Sequence, residues 1–269
     1  SDTAYTYDVK GQLEKGEHYQ KGKLVGVSKY YYYENGYRKS VKNYVDDIQD
    51  GKSTRWHENG QIWSVAYFKD DKVEGKATRW YESGEIYAEV NYKQDKFDGK
   101  WTGWHENGQI KYQGIYKDDE VDGKLTKWYE NGQMHYEENY KDGKLDGVWT
   151  QWEENGQISQ LDDYKDDKLV GMLKYQYYSN GQMKYEMGYQ NGNLVSAKHW
   201  YENGSKSKVG GYKDGSYDGL WTDWYDNGQK RQVRYFEKGL EEGKWTYWDE
   251  NGQITSQEEY KEGMCISGC

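Results

Sequence analysis

Apolar and polar residues alternate along this chain in short runs, and the same arrangement of runs returns about every 24 residues. Alternation with a period of two is typical of a β-strand that has one covered face. A turn signal separates the runs of each pair. A fixed period of this length indicates an array of stacked units, each covering the apolar face of its neighbour. The turn signals are Asn35-Gly36, Asn59-Gly60, Ser83-Gly84, Asn107-Gly108, Asn131-Gly132, Asn155-Gly156, Asn180-Gly181, Asn203-Gly204, Asn227-Gly228 and Asn251-Gly252.

The unit at residues 99–122 shows how each repeat is predicted to fold. A β-rich run leads into the turn Glu106-Asn107-Gly108, and a second β-rich run follows it. Asn-Gly between two such runs predicts a β-hairpin, and a type I′ turn needs a positive φ at both of its central residues. We therefore predict an all-β fold, in which about ten 24-residue units form an elongated repeat array of antiparallel β-hairpins in one twisted meander sheet.

The repeat also sets the predicted division of the chain. Residues 1–25 form an N-terminal partial repeat or cap, residues 26–260 the ten-unit array, and residues 261–269 a C-terminal tail. Open sheet edges pair with other chains, so the cap and the tail are expected to cover them, and end-to-end self-association is expected otherwise. An extra residue before Asn180 predicts a bulge or a change of sheet curvature within residues 171–200.

Two aromatic columns are predicted to form the structural core of the repeats. One stands four residues before the turn glycine and the other eight residues after it. An apolar residue also stands two places after the glycine, as Ile110 does. The predicted core residues are Trp56, Trp80, Trp104, Trp128, Trp152, Trp200, Trp224 and Trp248 in the first column, and Tyr92, Tyr116, Tyr140 and Tyr164 in the second.

The length of the hairpin loop decides which face of the sheet carries these columns. A two-residue loop puts Trp104 on the face opposite Ile110 and Tyr116. A three-residue loop with a bulge at the glycine pairs Trp104 with Ile110 and gathers all three on one face, which apolar burial favours. A further column, three residues before the glycine, then faces solvent or a ligand. This candidate interaction face consists of Tyr33, His57, Tyr81, His105, Tyr129, Tyr178, Tyr201 and Tyr225.

Composition narrows the range of partners. The net charge of −10 argues against nucleic acid as a partner and against binding to anionic membranes, because both require a basic surface. Apolar residues make up 34% of the chain and aromatic residues 17%, with 31 Tyr and 13 Trp. The expected core is therefore a thin layer of amphipathic rings whose polar tips can stay hydrated.

The sequence contains few motifs that could support catalysis or metal binding. Catalysis needs a unique constellation of side chains, and the sequence has no nucleophile elbow, phosphate loop or zinc pattern. We therefore expect no enzyme activity, no catalytic residue, no cofactor and no bound metal. The strongest candidate for a metal is the acidic turn at residues 118–123, whose oxygens are ligands of the kind that Ca²⁺ prefers. Cys265 and Cys269 lie outside the repeats. They are expected either to form a small terminal disulfide or to belong to a tail without a role.

The run Y-K-D-G-K-L-D-G-V-W-T-Q-W-E-E-N-G-Q at residues 140–157 resembles the MORN (membrane occupation and recognition nexus) repeat in its bacterial variant form. The resemblance extends over about residues 11–262. It implies β-hairpins laid side by side in an elongated, twisted sheet, and a scaffold or binding role. Bacterial members include secreted and surface proteins, which favours a cell-surface or secreted location over the cytoplasm. Asp-Gly stands here where the eukaryotic form has His-Gly, which argues against binding of lipid headgroups.

The expected function is a non-enzymatic scaffold that mediates protein–protein interaction through an extended aromatic and acidic face. The alternative is a cell-surface glycan or cell-wall binding module, in which exposed Tyr and Trp ladders hold the ligand. Exposed, coplanar rings would favour the glycan, whereas rings used for packing would favour the scaffold.

Overall fold

The computed structural model describes residues 2–269, including the side chains of all of them except residues 27–30. Every helix or strand assigned within these residues is a β-strand, and all strand pairs are antiparallel. The predicted all-β hairpin fold is therefore confirmed. No helix in this part of the chain has the length and apolar character that crossing a membrane requires.

The chain divides into two compact units, residues 1–144 and 145–269. This division falls inside the predicted array, and the predicted boundaries at residues 25 and 260 stay a prediction. The strands of the first unit are β1 (Asp2–Tyr7), β2 (Leu13–Gln20), β3 (Lys23–Tyr32), β4 (Arg38–Val45), β5 (Ile48–Gln49), β6 (Gly51–Trp56), β7 (Ile62–Lys69), β8 (Lys72–Val73), β9 (Gly75–Trp80), β10 (Ile86–Lys93), β11 (Lys96–Trp104), β12 (Ile110–Lys117), β13 (Glu120–Trp128) and β14 (Met134–Lys141).

The division between the units lies within the short strand β15 (Lys144–Leu145). Within each unit the strands pair in chain order, as in a meander. The strands of the second unit are β16 (Gly147–Trp152), β17 (Ile158–Lys165), β18 (Lys168–Tyr177), β19 (Met183–Gln190), β20 (Asn193–Trp200), β21 (Lys206–Lys213), β22 (Ser216–Trp224), β23 (Lys230–Glu237), β24 (Leu240–Trp248), β25 (Ile254–Lys261) and β26 (Met264–Ser267).

The Asn-Gly hairpin has a three-residue loop. The amide of Gly108 donates to the carbonyl of His105 at 2.9 Å, and the amide of His105 donates to the carbonyl of Gln109 at 2.8 Å. Gly108 has a φ of +81°, whereas Asn107 is not among the residues with positive φ. This is a turn closed by a glycine bulge, and Trp104 pairs with Ile110 as the three-residue loop predicts. Of the two loop lengths considered, the favoured three-residue loop is present, and Asn-Gly does not form a type I′ turn.

Positive φ at two successive residues occurs instead at the second turn of each repeat. Asp118 has a φ of 51° and Asp119 a φ of 77°. Asp and Asn tolerate the left-handed region better than most other side chains because they form local hydrogen bonds. The acidic turns that join one hairpin to the next therefore have the conformation that the sequence suggested for the Asn-Gly turns.

The two aromatic columns lie on opposite faces of the sheet. The ring of Trp101 lies 4.7 Å from that of Tyr112 and 5.1 Å from that of Tyr116. Trp104 is three residues beyond Trp101 in the same strand, so it points to the other face. The expectation that Trp104 and Tyr116 share a face is wrong. The register passes from Gly103–Tyr112 to Trp104–Ile110 and leaves Lys111 as an extra residue that reverses the alternation.

These two surfaces are named here by their residues in the repeat at 99–122. The Trp101 face carries Trp101, Gly103, Tyr112, Gly114 and Tyr116 and the equivalent residues of other repeats. The Trp104 face carries Thr102, Trp104, Gln113 and Ile115 and their equivalents. The assignment follows from the strand register and from strict alternation beyond the bulge.

The most deeply buried ring cluster lies on the Trp101 face of the second unit. Trp221, Phe236 and Trp245 are buried, and Tyr212 and Tyr260 pack against them. The two tryptophans stand seven residues before a turn glycine. The sequence analysis missed this column because its members differ in size and polarity. Its other buried members are Ser53, Ala77 and Ala197.

The irregularity predicted near residues 171–200 is present at the start of this segment. The register shift that follows the second turn of a regular repeat is smaller here. In regular repeats the glycine of the Asp-Gly step has a positive φ, such as 92° at Gly123, whereas Gly171 does not. Between the pairs Asp163–Gly171 and Tyr164–Leu169, strand β18 contains one residue more than strand β17. At the equivalent place, strand β13 contains two residues more than strand β12. The long strand β18 continues through this point without a break.

Candidate functional site

The candidate interaction-face column lies half-buried or buried and bonds to the following hairpin. The hydroxyl of Tyr81 donates to the carbonyl of Trp104 at 2.8 Å, and Nε2 of His105 lies 3.0 Å from the carbonyl of Trp128. A carbonyl oxygen only accepts, so the imidazole nitrogen donates. The equivalent bonds join Tyr33 to Trp56, His57 to Trp80, Tyr178 to Trp200, Tyr201 to Trp224 and Tyr225 to Trp248.

The rings of this column are also covered by the residue three places after the turn glycine. Tyr81 meets Tyr87 at 5.1 Å between ring centroids, and Tyr129 stacks on His135 at 4.2 Å. A lysine takes the covering position over Tyr33 and Tyr178, and Trp63 takes it beside His57. The hydrogen bonds of this column join one hairpin to the following one, and the covering side chains shield its rings from solvent. Its role in partner binding stays a prediction.

Asparagine in the first turn forms a second ladder between repeats. The Oδ1 atom of Asn59 accepts from the amide of Gln61, and its Nδ2 donates to the carbonyl of Glu82, both at 2.9 Å. One side chain thus shapes its own turn and ties it to the next one, which accounts for the recurrence of Asn. The same inter-repeat bond is made by Asn35, Asn107, Asn180, Asn203 and Asn227.

Aspartate in the second turn forms a third ladder, directed towards the preceding repeat. The Oδ1 atom of Asp119 accepts from the amide of Phe97 at 2.8 Å, and the amide of Asp119 donates to the carbonyl of Phe97 at 3.0 Å. The carboxylate thereby satisfies a backbone donor that no strand partner takes. The equivalent pairs are Asp47 with Leu24, Asp71 with Gln49, Asp95 with Val73 and Asp167 with Leu145.

Two of the carboxylates that were candidates for binding Ca²⁺ already have partners within the protein. Asp118 forms an ion pair with Lys96 at 3.4 Å, while Asp119 bonds to the backbone of Phe97. Among the described residues, no group of three or more His, Cys, Asp or Glu side chains is placed to hold a metal ion. Cys265 and Cys269 are joined in a disulfide.

The predicted core residues are half-buried, without exception. The tryptophans lie on the Trp104 face, and Tyr92, Tyr116, Tyr140 and Tyr164 lie on the Trp101 face. The carbonyls of seven of the eight tryptophans, at residues 56, 80, 104, 128, 200, 224 and 248, accept the ladder bonds described above. The two sets therefore cover different faces of the sheet.

The half-buried carboxylate of Glu138 and the buried carboxylate of Asp162 interrupt the apolar part of the Trp101 face. Burial raises the pKa of Glu138, which accepts a hydrogen bond from the hydroxyl of Tyr140 at 3.0 Å. Burial likewise raises the pKa of Asp162, whose oxygens accept from the amide of Gln160 at 2.8 and 2.9 Å. Each carboxylate is thus held by a neutral donor two residues away, in a place where charge is disfavoured.

A groove of about 530 Å³ opens on the Trp104 face of the second unit, where the repeat pattern is irregular. Gly171 and Gly188 line it. A Cβ atom at Gly171 would meet nothing closer than 3.9 Å, so the absence of a side chain there leaves room beside the strand. The carboxylate of the exposed Asp163 also lines it. The apolar residues of the lining on this face are Val148, Leu161, Val170, Leu173 and Val195.

A second, more polar pocket of about 600 Å³ lies on the Trp101 face of the same unit. Asp223 is only 6% exposed and accepts a bond from Nη2 of Arg234 at 2.9 Å, while Nζ of Lys208 stands 3.9 Å from its other oxygen. The exposed Arg231 and the imidazole of His199 complete the charged and titratable groups. Sequence analysis missed this cluster, although Lys206 and Lys230 interrupt the apolar column beside it.

The sequence profile of the MORN repeat variant family matches more than half of the chain. The chain belongs to the MORN repeat variant family. The resemblance to MORN repeats is therefore confirmed, and with it the repeat-scaffold character of the protein; MORN repeats are generally non-catalytic. The matched segments are residues 49–70, 73–94, 97–118, 121–142, 145–166, 172–191, 217–238 and 241–262.

Solved structures similar to this MORN protein include "Crystal Structure of TcdB2-TccC3", with 13% identity, a TM-score of 0.20, and coverage of 96% of this chain and 17% of that one. They also include "Crystal Structure of TcdB2-TccC3-Cdc42", with 12% identity, a TM-score of 0.22, and coverage of 97% and 20%. The MORN protein thus spans a fifth or less of the length of these chains. No curated protein matches its sequence.

Proposed function

We propose that this MORN protein is a non-enzymatic scaffold that binds a protein partner through the groove on the Trp104 face of its second unit. The observation that supports this most is the apolar lining of the groove. Val148, Val170 and Val195 are each more than a third exposed there. Exposed apolar residues gathered in one concave site are typical of an interaction surface.

Charge determines the kind of partner. The lining residues include the exposed carboxylate of Asp163 and no lysine or arginine. The whole chain carries a net charge of −10, so a basic segment is attracted over a longer range as well. The partner expected at this groove is a protein segment that presents aliphatic side chains next to lysine or arginine.

The glycan alternative draws less support from the geometry. The hydroxyls of Tyr81 and Tyr225 donate hydrogen bonds to backbone carbonyls, and the ring of Tyr87 packs edge-on against that of Tyr81. A sugar-binding ladder needs exposed, parallel rings. Saturable binding on a glycan array that is lost when Tyr81, Tyr129 and Tyr225 are changed to Ala would replace the protein-binding proposal with the glycan one.

The proposal is tested with a soluble peptide of alternating lysine and valine, measured by isothermal titration calorimetry. Glutamate–valine and lysine–serine peptides of equal length serve as controls. We expect only the lysine–valine peptide to bind the wild-type protein, because it alone combines aliphatic groups with positive charge.

Variants decide whether the groove is the site. Val195→Asp and Val170→Asp each add a negative charge, which by itself would attract the peptide, yet they are expected to weaken binding at least tenfold by removing apolar contact. Val45→Asp is the matched control, since Val45 is exposed in the first unit. Equal binding by all variants, or equal binding of the lysine–serine peptide, would contradict the proposal.

A further inference from the structure

The polar pocket on the Trp101 face concentrates positive charge on an acidic protein. Lys208, Arg231 and Arg234 line it, and Asp223 is the one carboxylate among its lining residues. Burial lowers the pKa of His199, and the positive charge of Lys208 adds to this effect, so the imidazole is neutral at pH 7. The pocket therefore has an excess of two positive charges.

The pocket also contains buried polar atoms that lack a hydrogen bond. Oδ1 of Asp223 and Nε of Arg234 are both inaccessible to solvent and without a hydrogen bond. Buried polar atoms are almost always hydrogen-bonded, and leaving one without a partner is unfavourable. Asp223 is more than nine-tenths buried, so a bound group that donates a hydrogen bond would supply what the protein does not.

Aromatic rings hold the cations of this pocket in place. Lys208 lies over the ring of Trp221 at 5.7 Å, and the guanidinium of Arg234 lies over Phe236 at 5.6 Å and over Trp245 at 5.5 Å. Arg234 is also anchored by Asp223, so it is positioned before a ligand arrives. Such preorganisation reduces the entropic cost of binding.

Part of the pocket lies where the chain departs from the family pattern. Residues 192–216 lie between two matched segments and are not matched by the MORN profile, and they contribute His199, Tyr201 and Lys208. Residues at the position of Asp223 in the first unit include Arg55, Arg79 and Lys127, so positive charge in this row of cross-strand neighbours is not new. Asp223 is the only acidic residue at its position in the ten repeats, and this carboxylate distinguishes the pocket.

We propose that this pocket binds a peptide carboxylate that has an N–H group beside it, with Arg231 and Lys208 receiving the carboxylate and Asp223 accepting from the N–H. The negative charge of Asp223 disfavours a phosphate dianion at the same place, because two such anions repel each other in a partly buried site. A volume of about 600 Å³ admits the last residue or two of a chain, or one acidic side chain with its own backbone amide.

The test uses three acetylated tetrapeptides of alanine and leucine and follows tryptophan fluorescence and calorimetric heat. One has a free C-terminus, one has an amidated C-terminus, and one is amidated but carries an internal glutamate. Inorganic phosphate is the fourth probe. We expect saturable binding of the free acid, the internal glutamate or both, and none of the fully neutral peptide. The comparison of the two acids identifies the source of the carboxylate.

Charge-neutralising variants locate the site. The double variant Lys208→Gln with Arg231→Gln is expected to weaken carboxylate binding at least tenfold. The double variant Lys93→Gln with Lys117→Gln removes the same charge from exposed second-turn positions of the first unit and is expected to bind normally. Circular dichroism and thermal unfolding show whether each variant is folded.

Several outcomes would overturn the proposal. These are equal losses in both double variants, binding of the neutral peptide, stronger binding of phosphate than of any carboxylate, and no binding of any probe to the folded wild-type protein. The groove on the Trp104 face is tested with cationic peptides and valine variants, so either proposal can fail while the other stands.

Discussion

The close approach of Trp221 to a neighbouring strand depends on the missing side chain at Gly210. A Cβ atom at Gly210 would lie 2.0 Å from the indole ring. The indole nitrogen of Trp221 donates to the carbonyl of Gly211 at 3.0 Å, so the ring is fixed and does not rotate away without losing a hydrogen bond. The largest fully buried side chain of the core therefore depends on one glycine.

We expect Gly210→Ala to lower the free energy of unfolding by about 1–3 kcal/mol, because the added methyl group overpacks the site. Urea unfolding followed by tryptophan fluorescence measures the loss. In a Trp221→Ala background the same substitution is expected to cost much less, since the clashing ring is gone. An equal cost in both backgrounds would show that backbone conformation, and not the indole, requires glycine.

Glu138 makes stability depend on pH. Burial raises its pKa in the folded state above the ordinary value of 4.5, so the folded state binds the proton more tightly than the unfolded state does. The stabilisation from protonated Glu138 is complete below pH 4.5 and disappears as the pH rises through the folded-state pKa. We expect Glu138→Gln to raise the melting temperature at pH 7 and to change it little at pH 4.

Melting curves at the two pH values check this expectation. Glu14→Gln is the control, because Glu14 is exposed in the same unit. A gain at pH 7 that also appears in the control would show a general effect of net charge.

The hairpins are stabilised by hydrogen bonds to neighbouring hairpins. These contacts between repeats are harder to predict from the sequence than the hairpin itself. The strands, the turn positions and the Trp104–Ile110 register follow from alternation and from the Asn-Gly signal. The faces do not, because the extra residue at Lys111 reverses the alternation and no feature of the sequence marks Lys111 as that residue. The mixed column that contains Ala197 and Trp221 has no common residue type, so its burial emerges only from the packing.

The tyrosine ladder makes a testable contribution to each hairpin junction. Tyr81→Phe keeps the ring and removes the donor to the carbonyl of Trp104. We expect a loss of about 1–2 kcal/mol in the free energy of unfolding, since the carbonyl is left without its partner. Tyr67→Phe is the matched control, because half of Tyr67 is exposed. Equal effects in urea unfolding would contradict the ladder.

Asp119 combines a positive φ with an acceptor for the amide of Phe97. Asparagine retains both properties, glycine retains only the backbone freedom, and alanine retains neither. We expect Asp119→Asn to be nearly neutral, Asp119→Gly to cost about 1 kcal/mol, and Asp119→Ala to cost about 2–3 kcal/mol. Urea unfolding ranks the three variants, and equal losses for glycine and alanine would show that φ does not matter there.

At the scale of the whole molecule, stability is expected to be local. In a repeat array each hairpin contacts mainly its neighbours, so a defect weakens its own surroundings first. We expect Trp221→Ala to reduce hydrogen–deuterium exchange protection in β21 to β24 and to leave β2 to β7 unchanged. Exchange measured by mass spectrometry checks this, and a uniform loss of protection would indicate one cooperative body.

The asparagine ladder has a consequence for how such a chain changes in length. Asn59 reaches the turn at Glu82, and Asn180 reaches the turn at Glu202, although the intervening segment is one residue shorter in the second case. Six junctions therefore use the same asparagine connector, which tolerates small differences of spacing. Copying or deleting an entire hairpin pair leaves a junction of the kind already present, so the array can be lengthened or shortened without inventing a new interface.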